Sequence, residues 1–221
     1  MLSVYFDERI DDTINSNVIA LKNRLIQMKI NGIDAVTSTY HTVSVYYDGL
    51  QVDREILMKM IKDQCESESP NHEFESGLVI IPVLYDGEDI KRVANHCGIS
   101  VEEVVNRHSN AVYRIYMLGF SPGFPYFGGM NQSIATPRLK TPRLKIEAGS
   151  VGIADRQTGI YPIESPGGWN LIGRTPLKLF DPTNQCPFLL ASGQMVRFMP
   201  IDHKEFTRIS ETGGRTYARE N

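Results

Sequence analysis

Two periodicities divide the chain. Leu2–Phe6 alternates apolar and polar positions as a half-buried strand does, and Ile14, Val18, Leu21, Leu25 and Met28 then recur at helical spacing until Gly32 supplies a stop. Ile33–Ser38 and Thr42–Tyr47 read as strands, with Asp48-Gly49 as the turn that follows. Asp53 is placed to cap a helix whose buried side is Ile56, Leu57, Met60 and Ile61. Ser67–Glu73 is a polar loop, and Leu78–Leu84 a further strand. The order β-α-β-β-α-β predicts a ferredoxin-like domain over residues 1–85.

The pattern then changes. Asp89–Cys97 carries Ile90, Val93, Ala94 and Cys97 on one side and ends at Gly98; Ser100 opens a second short helix, with Glu103 in the capping-box position. Beyond Asn110 only short strand-like runs appear: Ala111–Leu118, Gly149–Ala154, Leu177–Phe180 and Gln194–Met199. This predicts a β-rich, barrel-like domain over residues 86–206, led by the two helices. Thr207–Asn221 is polar and is expected to fray. The predicted class is therefore α+β.

Composition narrows the functions. The three cysteines, Cys65, Cys97 and Cys186, form no CxxC, and the five histidines show no HxH or HxxxH spacing, so neither a disulfide framework nor a metal site is expected. A net charge of −3 exerts no general pull on nucleic acid. No apolar run approaches the ~18 residues of a membrane span. The first residues have neither a basic start nor an apolar h-region. The expectation is a cytoplasmic protein.

Gly119–Asp181 concentrates glycine and proline yet interleaves them with Phe120, Phe124, Tyr126, Phe127, Tyr161 and Trp169, unlike a disordered linker. Gly119-Phe120-Ser121-Pro122-Gly123 matches the GxSxG elbow, with Asp181 and His203 following in hydrolase order. Pro122 argues against it, because the residue after the serine must donate a backbone N–H to the oxyanion. Residues 90–108 resemble a helix-turn-helix, but Glu102 and Glu103 at the start of its second helix would repel phosphates. The repeated TPRLK, Thr136–Lys140 and Thr141–Lys145, is held extended by Pro137 and Pro142; it is either a solvated turn or an anion-contacting rim. Gly149–Gly152 and Ser165–Gly168 are candidate anion nests or plain turns. Gln157, Thr158, Tyr161, Trp169, Asn170 and Arg174 join amide, hydroxyl, ring and guanidinium, a set suited either to a small amide- or carboxylate-bearing ligand or to tying turns together.

GFSPGFPYFGG, ATPRLKTPR, AGSVGIA, QTGIYPIESPGGWNLIGRTP and LFDP resemble the signature of the family of the 5-oxoprolinase B subunit, which includes the kinase A inhibitor KipI and the subunit 1 domain of allophanate hydrolase. The resemblance runs from about Leu2 to Phe206. It implies a ferredoxin-like domain followed by a cyclophilin-like β domain. It implies ATP-driven cleavage of 5-oxoproline to glutamate, performed together with a 5-oxoprolinase C subunit, the main partner, and an A subunit. The family also admits inhibition of a sensor histidine kinase, or a place in a urea carboxylase-type system. By motif position, the loop formers are Gly123, Phe124, Pro125, Gly152, Gly167 and Gly168. The expected substrate contacts are Arg138, Arg143, Gln157, Tyr161, Trp169, Asn170 and Arg174, with Arg143 and Arg174 holding a carboxylate or phosphoryl group. No general base is evident in the motif segment, which fits a site completed by a partner. Asp155-Arg156 stands where small residues are more usual, and Gln194 replaces a common Asp.

Overall fold

A computed structural model of the chain describes residues 1–9, 11–66 and 77–212. Its contacts divide into two units, Met1–Glu75 and Ser76–Asn221. The Ser67–Glu73 loop lies outside the described residues.

In the first unit, β1 (Leu2–Tyr5), α1 (Asp12–Gln27), β2 (Ile33–Ser38), β3 (Thr42–Tyr47) and α2 (Arg54–Glu66) follow the predicted order. Asp11 caps α1 by accepting from the amides of Thr13 and Ile14, and Asp53 does the same for Glu55 and Ile56 at α2. The three strands form one antiparallel sheet in the order β1-β3-β2. Val18, Leu21 and Leu25 of α1 and Leu57 and Ile61 of α2 bury their apolar stripes on Val43 and Val45. Ile56, expected inside, points outward and is 61% exposed.

The fourth strand departs from the ferredoxin-like expectation. β4 (Val79–Val83) does not join β1; it lies in the sheet of the second unit, parallel to β12 (Met195–Pro200). That sheet runs β11-β8-β9-β6-β5-β12-β4, built from β5 (Val112–Leu118), β6 (Pro125–Gly128), β8 (Ser150–Ala154), β9 (Gln157–Ile160) and β11 (Asn170–Arg174). It nearly closes on itself. Just past β4, Leu84 exchanges both backbone hydrogen bonds with Arg174 at 2.9 Å each. The mixed α/β architecture with a barrel-like sheet thus stands, and the fourth strand serves the barrel.

The barrel interior holds Tyr113, Ile115, Phe127, Val151, Ile153, Ile160, Ile172, Val196 and Phe198. α3 (Ile90–Cys97) and α4 (Val101–Ser109) join this core through Ile90, Val93, Ala94 and Val104, which makes them a packed pair like many others. Two expectations fail here. Leu177–Phe180 is not a strand; its leucines are buried, and only Phe180 bridges to Phe188. The first residues of the tail expected to fray, from Thr207, lie inside α5 (His203–Glu211), which Asp202 caps and Ile209 anchors, while residues 213–221 lie outside the described residues. The second TPRLK copy is also no simple loop: β7 (Arg143–Ile146) pairs with β10 (Ser165–Gly167) in a separate two-stranded ribbon.

Candidate functional site

The strands that carry the motif segment alternate their side chains. Phe127, Thr158, Ile153 and Asn170 sit on one cross-strand row, and Tyr126, Gly159, Gly152 and Leu171 on the next. The second row supports a separate cluster of Phe124, Ile146, Ala154, Tyr161, Trp169 and Leu171, with Tyr126 packed against it. Gly159 makes room for it: a Cβ there would stand 2.9 Å from the Trp169 ring and 3.0 Å from Phe124. Phe124 is the hub. Its ring meets Tyr126 at 5.1 Å, Tyr161 at 5.3 Å and Trp169 at 5.4 Å between centroids, the last two edge-to-face.

Phe124 is delivered by the tight loop after β5. Phe124 N–H donates to the Ser121 carbonyl, Gly119 N–H to the Phe124 carbonyl, and Phe120 and Gly123 both take positive φ. Pro125 then starts β6, and Gly123 packs against Phe180 and Phe188. The hydrolase constellation is not assembled. The Ser121 hydroxyl is buried without a hydrogen-bond partner, Asp181 accepts from Thr183 and pairs with Lys178, and His203 opens α5.

The arginines divide between two roles. Arg138 lies over Trp169 at 6.0 Å from the ring centroid, is 58% exposed, and has Asp155 as an ion-pair partner at 3.5 Å. Arg143 is deeper and more fully engaged: it pairs with Glu88 at 2.8 Å and Asp89 at 2.9 Å, and donates to the Trp169 carbonyl at 3.4 Å. Burial opposes its charge, but Asp89 and Glu88 together outweigh burial and push its pKa up. Arg174 stands apart, forked onto Asp86 at 2.8 Å and set over Phe206 at 4.8 Å.

Arg143 and Arg174 are thus held by one acidic strap, residues 84–89, laid along β11. Gly87 N–H donates to the Ile172 carbonyl and Asp89 N–H to the Leu171 carbonyl, while the buried Asp89 carboxylate accepts from Leu171 N–H at 2.8 Å. The approach is close. A Cβ on Gly87 would overlap the backbone of Leu171 and Ile172, and one on Gly173 would stand 2.5 Å from the Leu84 carbonyl oxygen. The strap was invisible as a site element in the sequence. The one signal was Asp89 read as a helix start, and it caps nothing by its side chain.

The other predicted residues also have places. Asn170 is fully buried and saturated: its amide donates to the Pro137 and Ile153 carbonyls, and its oxygen accepts from Arg92. Tyr161 is buried, and its hydroxyl accepts from Trp169 N–H; burial raises its pKa against that bond and the charges of Arg138 and Arg143. Tyr126 is half-buried, and burial raises its pKa against the charge of Arg138. Gln157 begins β9, partly exposed, two residues from Gly159 on the same face. Gly152 lies in β8, Gly167 in β10, and Gly168 accepts at its carbonyl from Leu139 N–H. Tyr126, Arg138, Tyr161 and Trp169 come together, Arg143 supports them from the strap, and Arg174 does not join them.

Behind this face runs a buried relay. Thr158 donates its hydroxyl hydrogen to the Gly152 carbonyl at 3.0 Å, so it accepts from His108 Nε2–H at 2.9 Å. His108 Nδ1 therefore accepts from the Tyr85 hydroxyl at 2.7 Å. His108 is fully buried and stacked on Phe198, and burial pushes its pKa down to about 3. The first glycine run, Gly149–Gly152, is bonded within the chain itself, since Gly149 N–H donates to the Tyr161 carbonyl and Ser150 N–H to that of Glu147. Among the described residues no group of three or more His, Cys, Asp or Glu is arranged to hold a metal ion, and no helix is long and apolar enough to cross a membrane.

Comparison with known proteins agrees in direction. Residues 1–190 match the family model described as carboxyltransferase domain, subdomain C and D. The B subunit of 5-oxoprolinase from Bacillus subtilis is 38% identical over 95% of this chain and 93% of its own length. Its counterpart from Escherichia coli O157:H7 is 51% identical over 60% of this chain and 62% of its own. Among solved structures, TTHA0988 superposes with a TM-score of 0.84 at 35% identity, over 91% of this chain but 40% of that one. This chain therefore spans about two fifths of that relative's length. The Kluyveromyces lactis urea amidolyase, at 20% identity and a TM-score of 0.76 over 98% of this chain and 15% of its own, shares the fold.

Proposed function

Because the chain belongs to the carboxyltransferase domain family, subdomains C and D, we propose that it acts as the B subunit of a 5-oxoprolinase. What carries the reading is a likeness, along nearly the whole of both chains, to the B subunit of another 5-oxoprolinase. The reaction opens the lactam of 5-oxo-L-proline: water adds its hydroxyl to the ring carbonyl carbon, the C–N bond breaks, and the nitrogen leaves as the amine of L-glutamate. The lactam is stable, so ATP hydrolysis in the complex supplies the drive. The Gly149–Gly152 run is internally bonded, and no step of nucleotide chemistry is assigned to this chain.

Phe124, Tyr161 and Trp169 are buried and form the backing of the site, while Tyr126, only partly buried, is the ring of this cluster that can meet the flat apolar side of a five-membered ring. Arg138, exposed at the rim, takes the carboxylate, and Gln157 the lactam amide. Arg143, Asn170 and Arg174, with their side chains already engaged, form the frame that fixes Trp169 and β11. The general base comes from a partner: the C subunit is the immediate one, the A subunit the third member of the complex.

The test is turnover of 5-oxo-L-proline with ATP by the chain co-purified with its partner subunits, against the chain alone. Turnover by the complex and none by the isolated chain is expected. A complex that forms but leaves 5-oxoproline intact would overturn the reading.

A further inference from the structure

Asp155 is the feature that the site leaves unexplained. It occupies the turn between β8 and β9 with a φ of +52°, a conformation that Asn and Gly adopt at least as readily. The backbone therefore accounts for a small or flexible residue there, and not for a carboxylate. That carboxylate is aimed at the exposed guanidinium of Arg138, 3.5 Å away, with both side chains open to solvent. The pairing is set by the backbone. Thr136, two residues before Arg138, exchanges both amide hydrogen bonds with Asp155, at 2.8 and 3.2 Å. The Asp155 turn and the Arg138 segment are thus stitched side by side, and the guanidinium of the pair stands 6.0 Å from the Trp169 ring centroid.

We propose that Asp155 is a built-in counter-ion that competes with the substrate's carboxylate for Arg138, so that binding exchanges an internal ion pair for one with the ligand. This rests on the reading of Arg138 as the carboxylate contact. The exchange explains why the more exposed arginine is the one left with a single-point, long pair, while Arg143 is locked by two shorter ones. It also makes Asp155 a specificity-determining residue. An uncharged ligand gains nothing by displacing it, because Arg138 would lose one anion and receive none.

An exposed pair of this kind is worth a factor of about two to five in an equilibrium constant. Asp155→Asn keeps the turn and removes the charge. In the assembled complex it is expected to lower KM for 5-oxo-L-proline about two- to five-fold, the effect falling on KM and not on kcat. Asp155→Gly should do the same by a second route. The inhibition constant of the uncharged carboxamide analogue should not move. Arg138→Ala should raise KM, and Asp155→Asn added to it should have no further effect. If Arg138→Ala leaves KM unaltered, the carboxylate contact itself is wrong. If Arg138→Ala raises KM but both Asp155 variants leave it unchanged or raise it, only the counter-ion proposal falls.

Discussion

Acid should weaken this fold through one residue, His108. The imidazole is wholly enclosed, neutral, and fixed between the Tyr85 hydroxyl and Thr158. Its pKa falls from 6.5 to about 3 on burial, so the folded chain refuses a proton that the unfolded chain accepts. The contribution is present in full above the unfolded value and is lost as pH falls below it. Between roughly pH 7.5 and roughly pH 5 the loss is about 2 kcal/mol, from about 1.4 kcal/mol for each pH unit below the unfolded pKa. Other groups titrate in the same range, so the useful quantity is a difference between proteins. His108→Gln keeps a donor and an acceptor but cannot take the proton. It should be less stable than the parent near neutrality, through lost packing on Phe198, and the gap should shrink by about 2 kcal/mol on going to roughly pH 5. Trp169, the chain's single tryptophan, lies on the barrel and reports unfolding of that unit by fluorescence in denaturant. A gap that stays constant across the range would mean that His108 is not held neutral in the folded chain.

Two further outcomes test the strap. Arg143→Ala leaves the buried Asp89 carboxylate with little more than one backbone N–H, and should destabilise the barrel unit by about 3 kcal/mol, measured by the same denaturation; a variant as stable as the parent would remove its framing role. Gly87→Ala forces the strap off β11, and faster hydrogen exchange at the amides of position 87, Asp89 and Leu171 is expected, with no change at β2 and β3.

The first unit was legible because its elements obey their periods. β2 and β3 fall on the predicted residues, and α1 buries Val18, Leu21 and Leu25 as the spacing requires. β4 was legible as a strand but not by its neighbour, since an apolar run does not say which sheet edge it will find. In the barrel, β6, β9, β10 and β11 escaped because they contain Pro125, Gly128, Gly159, Gly167 and Gly173, residues with poor intrinsic strand preference. At Gly159 the missing side chain is the point: Trp169 and Phe124 occupy its space. Composition and motif singled out the aromatic and arginine residues of the segment. The ion-pair partners of Arg143 and Arg174 were not legible, because Asp86, Glu88 and Asp89 lie more than fifty positions earlier in the chain. His108 did leave a trace. It follows Val104 by one helical turn on the buried side of α4, an unusual place for an imidazole without a metal or a partner.

The parallel pairing of β4 with β12 has a consequence for synthesis. β12 sits between β4 and β5, so residues 79–83 have no neighbour in the sheet until residues 195–200 have left the ribosome. The α1, α2 and three-stranded unit, by contrast, is complete within the first 66 residues and can form while the rest is still being made. The barrel must therefore close late and across a long loop. During that interval the apolar Val79–Val83 is a strand without a partner, open to pairing with other chains.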